Sequence, residues 1–288
     1  MEAAELIRRV RRVELRARGL SHQIFSGEYH SAFKGRGMAF SENRAYQHGD
    51  EIRTIDWNVT ARMRSPYVKV FQEERELTAM LLIDVSASGR IGSRGATKRE
   101  LAAELAAVLA FSAGQNNDKI GALLFSDRVE KFIPPKKGRS HILRIVREII
   151  DLEPAGQGTD IGTALEHFNR VMKKRSIAFL ISDFQDRGFD DLIRRTARKH
   201  DLVALQLRDV IEGRAARLGW ISGHDPESGT HGHISTGSRR WRTRYENAIL
   251  QHQSDLEELM AKSGIDHAVL HTDQPYVQPL MQLFDRRG

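Results

Sequence analysis

The chain has 288 residues, no cysteine, and 45 Lys plus Arg against 38 Asp plus Glu, giving a formal charge of +7 and a pI near 9.8. The missing cysteine excludes a disulfide framework, a thiolate metal site and a cysteine nucleophile. Apolar residues at 40% and charged residues at 29% are ordinary for a folded protein and exclude a disordered chain.

The N-terminus is rich in arginine: Arg8, Arg9, Arg11, Arg12, Arg16 and Arg18 alternate with Leu6, Ile7, Val10 and Val13 at helical spacing. This predicts an amphipathic helix with a solvated arginine face, or alternatively a docking face for acidic protein or lipid. The segment lacks the apolar h-region of a signal peptide. The apolar stretches elsewhere, such as residues 77–85 and 176–184, fall short of the ~20 residues a membrane span needs. A cytoplasmic protein without a membrane span is therefore expected. Positive charge is spread rather than focused. Residues 1–75 hold 14 basic against 10 acidic side chains, residues 76–207 hold 21 against 17, and residues 208–288 hold 10 against 11. No segment forms a phosphate track, so no nucleic-acid partner is expected.

Residues 1–75 read as an irregular, Gly- and Arg-rich N-terminal segment that packs on the core as a structural belt. Residues 76–288 read as an α/β domain. Buried strands are predicted at 77–86, 119–126, 176–184 and 201–210, with a half-polar edge strand at 129–135 stopped by Pro134 and Pro135. Helices are predicted at 97–116, 139–151, 160–174 and 189–200. A β-hairpin insertion at about 214–237 precedes a long helix at 239–264, a strand at 265–272 and a last helix at 276–285. This alternation implies a doubly wound, mostly parallel, Rossmann-like sheet, whose ligands bind beyond the carboxyl ends of its strands.

The first buried strand ends in Asp84-Val85-Ser86-Ala87-Ser88. The intervening Val85 and Ala87 let Asp84, Ser86 and Ser88 converge as the chain turns. A carboxylate and two hydroxyls are hard oxygen donors, suited to Mg²⁺ or Mn²⁺. Thr159 lies in the loop Gly156–Asp160 before a helix, and Asp183 stands at the tip of a later buried strand. In a doubly wound sheet all three segments can reach one edge. The competing reading is that Asp84 and Asp183 cap helices and fix loops without metal.

The set resembles the metal-ion-dependent adhesion site of von Willebrand factor A domains. That resemblance implies Ser86, Ser88 and Thr159 as the closer metal contacts. It gives Asp84 and Asp183 roles through water or hydrogen bonds, and leaves an open position for a partner's carboxylate. A wider resemblance runs through Ser26-Gly27, Ser31–Gly37, Phe40–Asp50, Arg53–Arg62, Tyr67, Lys69 and Glu73–Arg75. It resumes at Ser182-Asp183-Phe184, His200-Asp201 and Asp225–Gly229. This pattern is similar to the DUF58 family, whose members carry a von Willebrand A-like domain and are often encoded beside a MoxR-type AAA+ ATPase. Gly89 departs from it, since the family commonly shows Met there.

Within the N-terminal signature, Glu42, Arg44, Asp50, Arg53, Asp56 and Arg62 alternate in sign across 21 residues. They suit a buried or interfacial ion-pair network, with Trp57 and Tyr46 as packing anchors. Arg36, between Gly35 and Gly37, joins Arg44, Asp50, Arg53, Asp56, Trp57 and Arg62 as the partner-docking set. His224, His231 and His233 could bind a metal through imidazole, but a Gly-rich hairpin tip is the preferred reading. Gly89, Gly92 and Gly95 match no phosphate-loop pattern.

The expected function is a binding module and not an enzyme. A divalent ion would bridge to an acidic side chain of a client protein, in concert with a MoxR-type ATPase that matures or assembles other proteins. The alternative is a Mg²⁺- or Mn²⁺-dependent hydrolase acting on phosphate esters.

Overall fold

Five consecutive apolar residues, Ala79–Ile83, are fully buried and form the middle of strand β3 (Thr78–Asp84). Burial on both faces is what a central parallel strand requires, and it explains the unbroken apolar run. The computed structural model describes residues 13, 14, 17, 19, 20, 38–73, 77–90, 92, 96–156, 158–213, 219–224 and 231–287. The arginine-rich N-terminus and the Gly35-Arg36-Gly37 signature thus lie largely or wholly outside the described residues. The described residues divide into two compact units. One lies within Lys34–Leu77, and the other combines Thr78–Gly288 with the N-terminal residues up to Phe33.

The larger unit is built on a six-stranded sheet. Its strands are β3, β4 (Lys119–Phe125), β5 (Val129–Lys136), β6 (Ile177–Ser182), β7 (Asp201–Arg208) and β10 (Asp266–His271), in the order β10-β7-β6-β3-β4-β5. All neighbours are parallel except β4 and β5. Strand β5 carries Pro134 and Pro135 and lies at the edge, where missing amide donors do least harm. At the opposite end of the constraint, a Cβ on Gly121 in β4 would fall 2.6 Å from Met80 Sδ and 2.8 Å from the Ile133 carbonyl. Only glycine allows that approach. This is the doubly wound order expected from the von Willebrand factor A resemblance.

Five helices accompany the sheet strands: α2 (Lys98–Gln115), α3 (Arg139–Asp151), α4 (Ile161–Val171), α5 (Asp190–Lys199) and α7 (Val277–Asp285). Helix α2 opens on a capping box. The Thr97 hydroxyl accepts from the Glu100 amide, and the Glu100 carboxylate accepts from the Thr97 amide. Its Ala- and Leu-rich sequence is buried nearly all round, so it is a core helix and not an amphipathic one. One face of the sheet packs Met80, Leu82, Leu123, Phe125, Ala178 and Leu180 against Leu165 and Phe168 of α4 and Ile193 of α5. The expected insertion is a hairpin, β8 (Trp220–His224) with β9 (His231–Ser235), followed by the long helix α6 (Arg239–Lys262). The side chains of His224, His231 and His233 lie outside the described set. No helix among the described residues is long and apolar enough to cross a membrane.

The smaller unit, which the composition suggests is irregular, holds regular elements. Strands β1 (Met38–Ala45) and β2 (Tyr67–Glu73) pair antiparallel, and helix α1 (Trp57–Met63) lies between them in sequence. Asp56 caps α1, accepting from the amides of Asn58 and Val59 at 3.0 and 3.3 Å.

Candidate metal-binding site at the sheet edge

The sheet reverses its winding between β3 and β6, so their carboxyl ends flank a topological switch point. Asp84 ends β3 and Ser182-Asp183 end β6, which places both candidate carboxylates at this crevice. Immediately after β3, a 3₁₀ turn (Ala87–Arg90) folds the chain back, with the Gly89 amide donating to the Ser86 carbonyl at 3.2 Å. The turn brings Ser86 Oγ within 3.0 Å of Ser88 Oγ, and both residues are buried. The convergence expected of the first motif is therefore formed, and Gly89 is compatible with it.

Asp84 orients this pair. Its Oδ1 accepts from the Ser86 amide at 2.9 Å and its Oδ2 accepts from the Ser182 hydroxyl at 2.7 Å. Burial first, then the nearby charge of Asp183, push the Asp84 carboxyl up to about 6. Ser182 acts as a relay, because its oxygen also accepts from the Phe184 amide at 3.1 Å. Phe184 adopts a left-handed backbone with φ of 57°. For a bulky residue this is strained by roughly 1–3 kcal/mol. The surroundings hold it there: its ring is fully buried near Phe189 and His267, and its carbonyl meets His252 Nε2 at 2.9 Å. The strain reverses the chain directly after Asp183.

Asp183 is engaged by a residue outside the expected set. Lys98, the first residue of α2, extends its ammonium to Asp183 Oδ2 at 2.6 Å and to Glu212 Oε1 at 2.5 Å. The Lys98 and Asp183 side chains are only 2% and 3% exposed, so the pair is desolvated. Burial pulls the lysine pKa down, but Asp183 and Glu212 outweigh it and hold the ammonium above its ordinary value. Glu212 sits in a 3₁₀ turn after β7 (Val210–Gly213), and its Oε2 accepts from the Asp209 amide at 3.0 Å. The other oxygen of Asp183 accepts from the Gln185 amide at 3.2 Å.

The loop that carries Thr159 is tied to the carboxyl end of β4. The Asp160 amide donates to the carbonyl of Ser126, one residue past Phe125, which pairs with Asp84. Gly156 makes this closure possible, since a Cβ there would fall 2.1 Å from Asp127 Oδ1 and 2.2 Å from Ser126 Oγ. Glu130 ties the loop down, accepting from Ser126 Oγ at 2.6 Å and from the Gly156 amide at 2.8 Å. Asp186 joins the loop after β6 to the start of α4 by accepting from the Ile161 amide at 2.8 Å.

The donor set fits a hard divalent cation. Two buried hydroxyls face each other beside a cleft of about 10 Å³, room for one water-sized sphere, which is lined by Asp84, Ser88, Gly89, Lys98, Arg99, Ser182, Asp183 and Leu207, with Ser86 and Thr159 outside that lining. Ser86, Ser88 and Thr159 would hold the ion, with Asp84 orienting the serines.

The docking set of the smaller unit is dispersed. Arg44 forms a bidentate pair with Asp50, both contacts at 2.7 Å, and Asp56 lies 3.6 Å from Lys69. Arg53 and Arg62 are exposed. Trp57 is 67% exposed, so it is a surface group and not the expected packing anchor.

The sequence predicts Asp84, Ser86, Ser88, Thr159 and Asp183 for this site; Ser182, Lys98 and Glu212 are engaged there without being predicted. One signal for Lys98 was present. It shares the helix stripe of Leu101, Ala102, Leu105 and Leu109, where a lysine must either snorkel or find buried carboxylates.

The chain is similar in sequence or in outline to several known proteins. An uncharacterized protein of Mycobacterium tuberculosis strain H37Rv is 28% identical over 281 residues, spanning 96% of this chain and 88% of its own. An aerotolerance-related membrane protein from Bacteroides fragilis shares 17% identity at a TM-score of 0.49, covering 73% of this chain and 99% of that one. The VWA domain of SpRpn10 shares 13% identity at a TM-score of 0.37, covering 73% of this chain and 95% of that one. The family described as "Protein of unknown function DUF58" matches residues 42–255, well over half of the sequence, and the chain belongs to that family.

Proposed function

We propose that this protein is a metal-dependent docking module. Family and fold support an interaction module of the von Willebrand factor A type. The observation that carries the finer reading is the buried Ser86–Ser88 hydroxyl pair, 3.0 Å apart beside Asp84 at the switch point. Mg²⁺ or Mn²⁺ held by Ser86, Ser88 and Thr159 is poorly neutralised by such neutral donors, so it draws a carboxylate from a client protein. In our reading the exposed Arg53, Trp57 and Arg62 of the smaller unit contact a MoxR-type AAA+ ATPase, with Arg44, Asp50 and Asp56 holding that unit's local structure. A cytoplasmic setting suits both partners.

Binding is favoured over hydrolysis by the state of the carboxylates. Both oxygens of Asp84 and both of Asp183 are already engaged, by Ser182, Lys98 and the amides of Ser86 and Gln185. These contacts hold the carboxylates as orienting and charge-paired groups, which supports binding over hydrolysis. The test is Mn²⁺ binding and capture of the neighbouring ATPase and its clients by wild type and by Ser86→Ala/Thr159→Ala. Loss of both in the variant supports the reading. Unchanged Mn²⁺ binding and capture would overturn it.

A further inference from the structure

A lysine with 2% of its side chain exposed is unusual, and Lys98 is placed where its charge is least needed by its own helix. It stands in the first turn of α2, at the positive end of the helix dipole, where a cation is disfavoured. Its position is explained by what it touches. The ammonium is shared between Asp183 and Glu212, which come from the ends of β6 and β7, and it lines the same cleft as Asp84 and Ser88.

We propose that Lys98 is the built-in cation of this site and sets its divalent-ion affinity. The ammonium neutralises Asp183 and bridges it to Glu212, so an entering Mg²⁺ or Mn²⁺ meets a site that already holds one positive charge. Loading is then weak until Lys98 is drawn away from Asp183. This deepens the metal-docking reading and rests on it. A unit positive charge beside a divalent ion lowers affinity by roughly tenfold or more even at high effective dielectric. Lys98 therefore makes the site a conditional one, able to take up an ion and an acidic partner together and to release both.

The experiment is titration of the full-length chain with Mn²⁺ by isothermal calorimetry, comparing wild type with Lys98→Met. Methionine keeps the length of the side chain and removes the charge. The double variant Lys98→Met/Glu212→Gln provides a form in which Glu212 is not left as an uncompensated charge, should the single variant fail to fold. Both are expected to bind Mn²⁺ roughly tenfold or more tighter than wild type. The gain is expected to vanish when Ser86→Ala and Thr159→Ala are added. If the folded lysine variants bind no tighter than wild type, while Ser86→Ala/Thr159→Ala still abolishes binding, the role of Lys98 is refuted and the metal site stands. If the gain survives the serine and threonine substitutions, or no form binds Mn²⁺, the metal reading falls and the proposal with it.

Discussion

Ser182→Ala is the most informative single perturbation of the crevice. The hydroxyl is 1% exposed, donates to Asp84 Oδ2 at 2.7 Å and accepts from the Phe184 amide at 3.1 Å. Losing a hydrogen bond to a charged group costs roughly 1.5–3 kcal/mol, and stranding a buried amide roughly 1–3 kcal/mol. Both pass through one oxygen and relax together, so the expected cost is about 3 kcal/mol, or roughly 6–12 °C in Tm for a domain of this size. The cost also has a pH signature. Ser182 holds the raised Asp84 pKa down, so its removal moves that pKa above about 6. A carboxyl raised in the folded state favours folding when protonated, and the penalty of ionising it is present only at higher pH. The Ser182→Ala penalty should therefore be largest above pH 7 and shrink as pH falls below 6. Urea unfolding followed by circular dichroism at both pH values measures it. Ser112→Ala is the control, because the buried Ser112 hydroxyl has no hydrogen-bond partner among the described residues. A Ser182→Ala cost below about 1 kcal/mol at high pH, or equal to that of Ser112→Ala, would refute the relay.

His200 is fully buried, its Nδ1 accepts from the Ser176 amide, and its ring lies 4.5 Å from that of Phe168. Burial first, then Lys199 and Arg175, push it down from 6.5 to about 4, so the folded protein keeps it neutral where the unfolded chain is protonated. Its contribution is complete above pH 6.5 and is lost as pH falls toward 4, by about 3 kcal/mol. Urea unfolding across this window should show wild type losing about 3 kcal/mol more than His200→Gln as pH falls, and parallel curves would contradict it. Trp57→Ala removes an exposed ring, so stability should change by no more than about 0.5 kcal/mol. Affinity for the ATPase should nonetheless fall roughly tenfold or more if that ring anchors the partner. Equal capture in a pull-down would remove Trp57 from the docking surface.

Most of the α/β unit is legible in the chain because its signals are local. The run Ala79–Ile83 announces a strand buried on both faces, Thr97 and Glu100 announce the start of α2, and Pro134-Pro135 fixes β5 at an edge. The smaller unit is harder to read. The pairing of β1 with β2 joins residues as far apart as Met38 and Glu73, which no local pattern announces. Trp57 illustrates a different limit. A tryptophan among alternating charges reads as an anchor, but whether it anchors this chain or a partner depends on tertiary packing that composition does not encode.

The site divides along the same line, and the division has a chemical meaning. Asp84, Ser86 and Ser88 are neighbours in sequence, so their convergence follows from one strand end and one 3₁₀ turn. Ser182 meets Asp84 across 98 residues, Lys98 meets Asp183 across 85, and Lys98 meets Glu212 across 114. Only the folded sheet brings these together. The local motif supplies two hydroxyls and a carboxylate. The long-range contacts supply what decides how those donors behave: the orientation of Asp84, the backbone reversal at Phe184, and the charge already in place. Groups that hydrogen-bond to metal ligands from behind commonly tune metal affinity by roughly 10–100-fold. Two chains with the same D-x-S-x-S strand end can therefore differ in whether they hold an ion tightly, conditionally or not at all. The lysine in the first turn of the following helix is the residue to inspect in telling them apart.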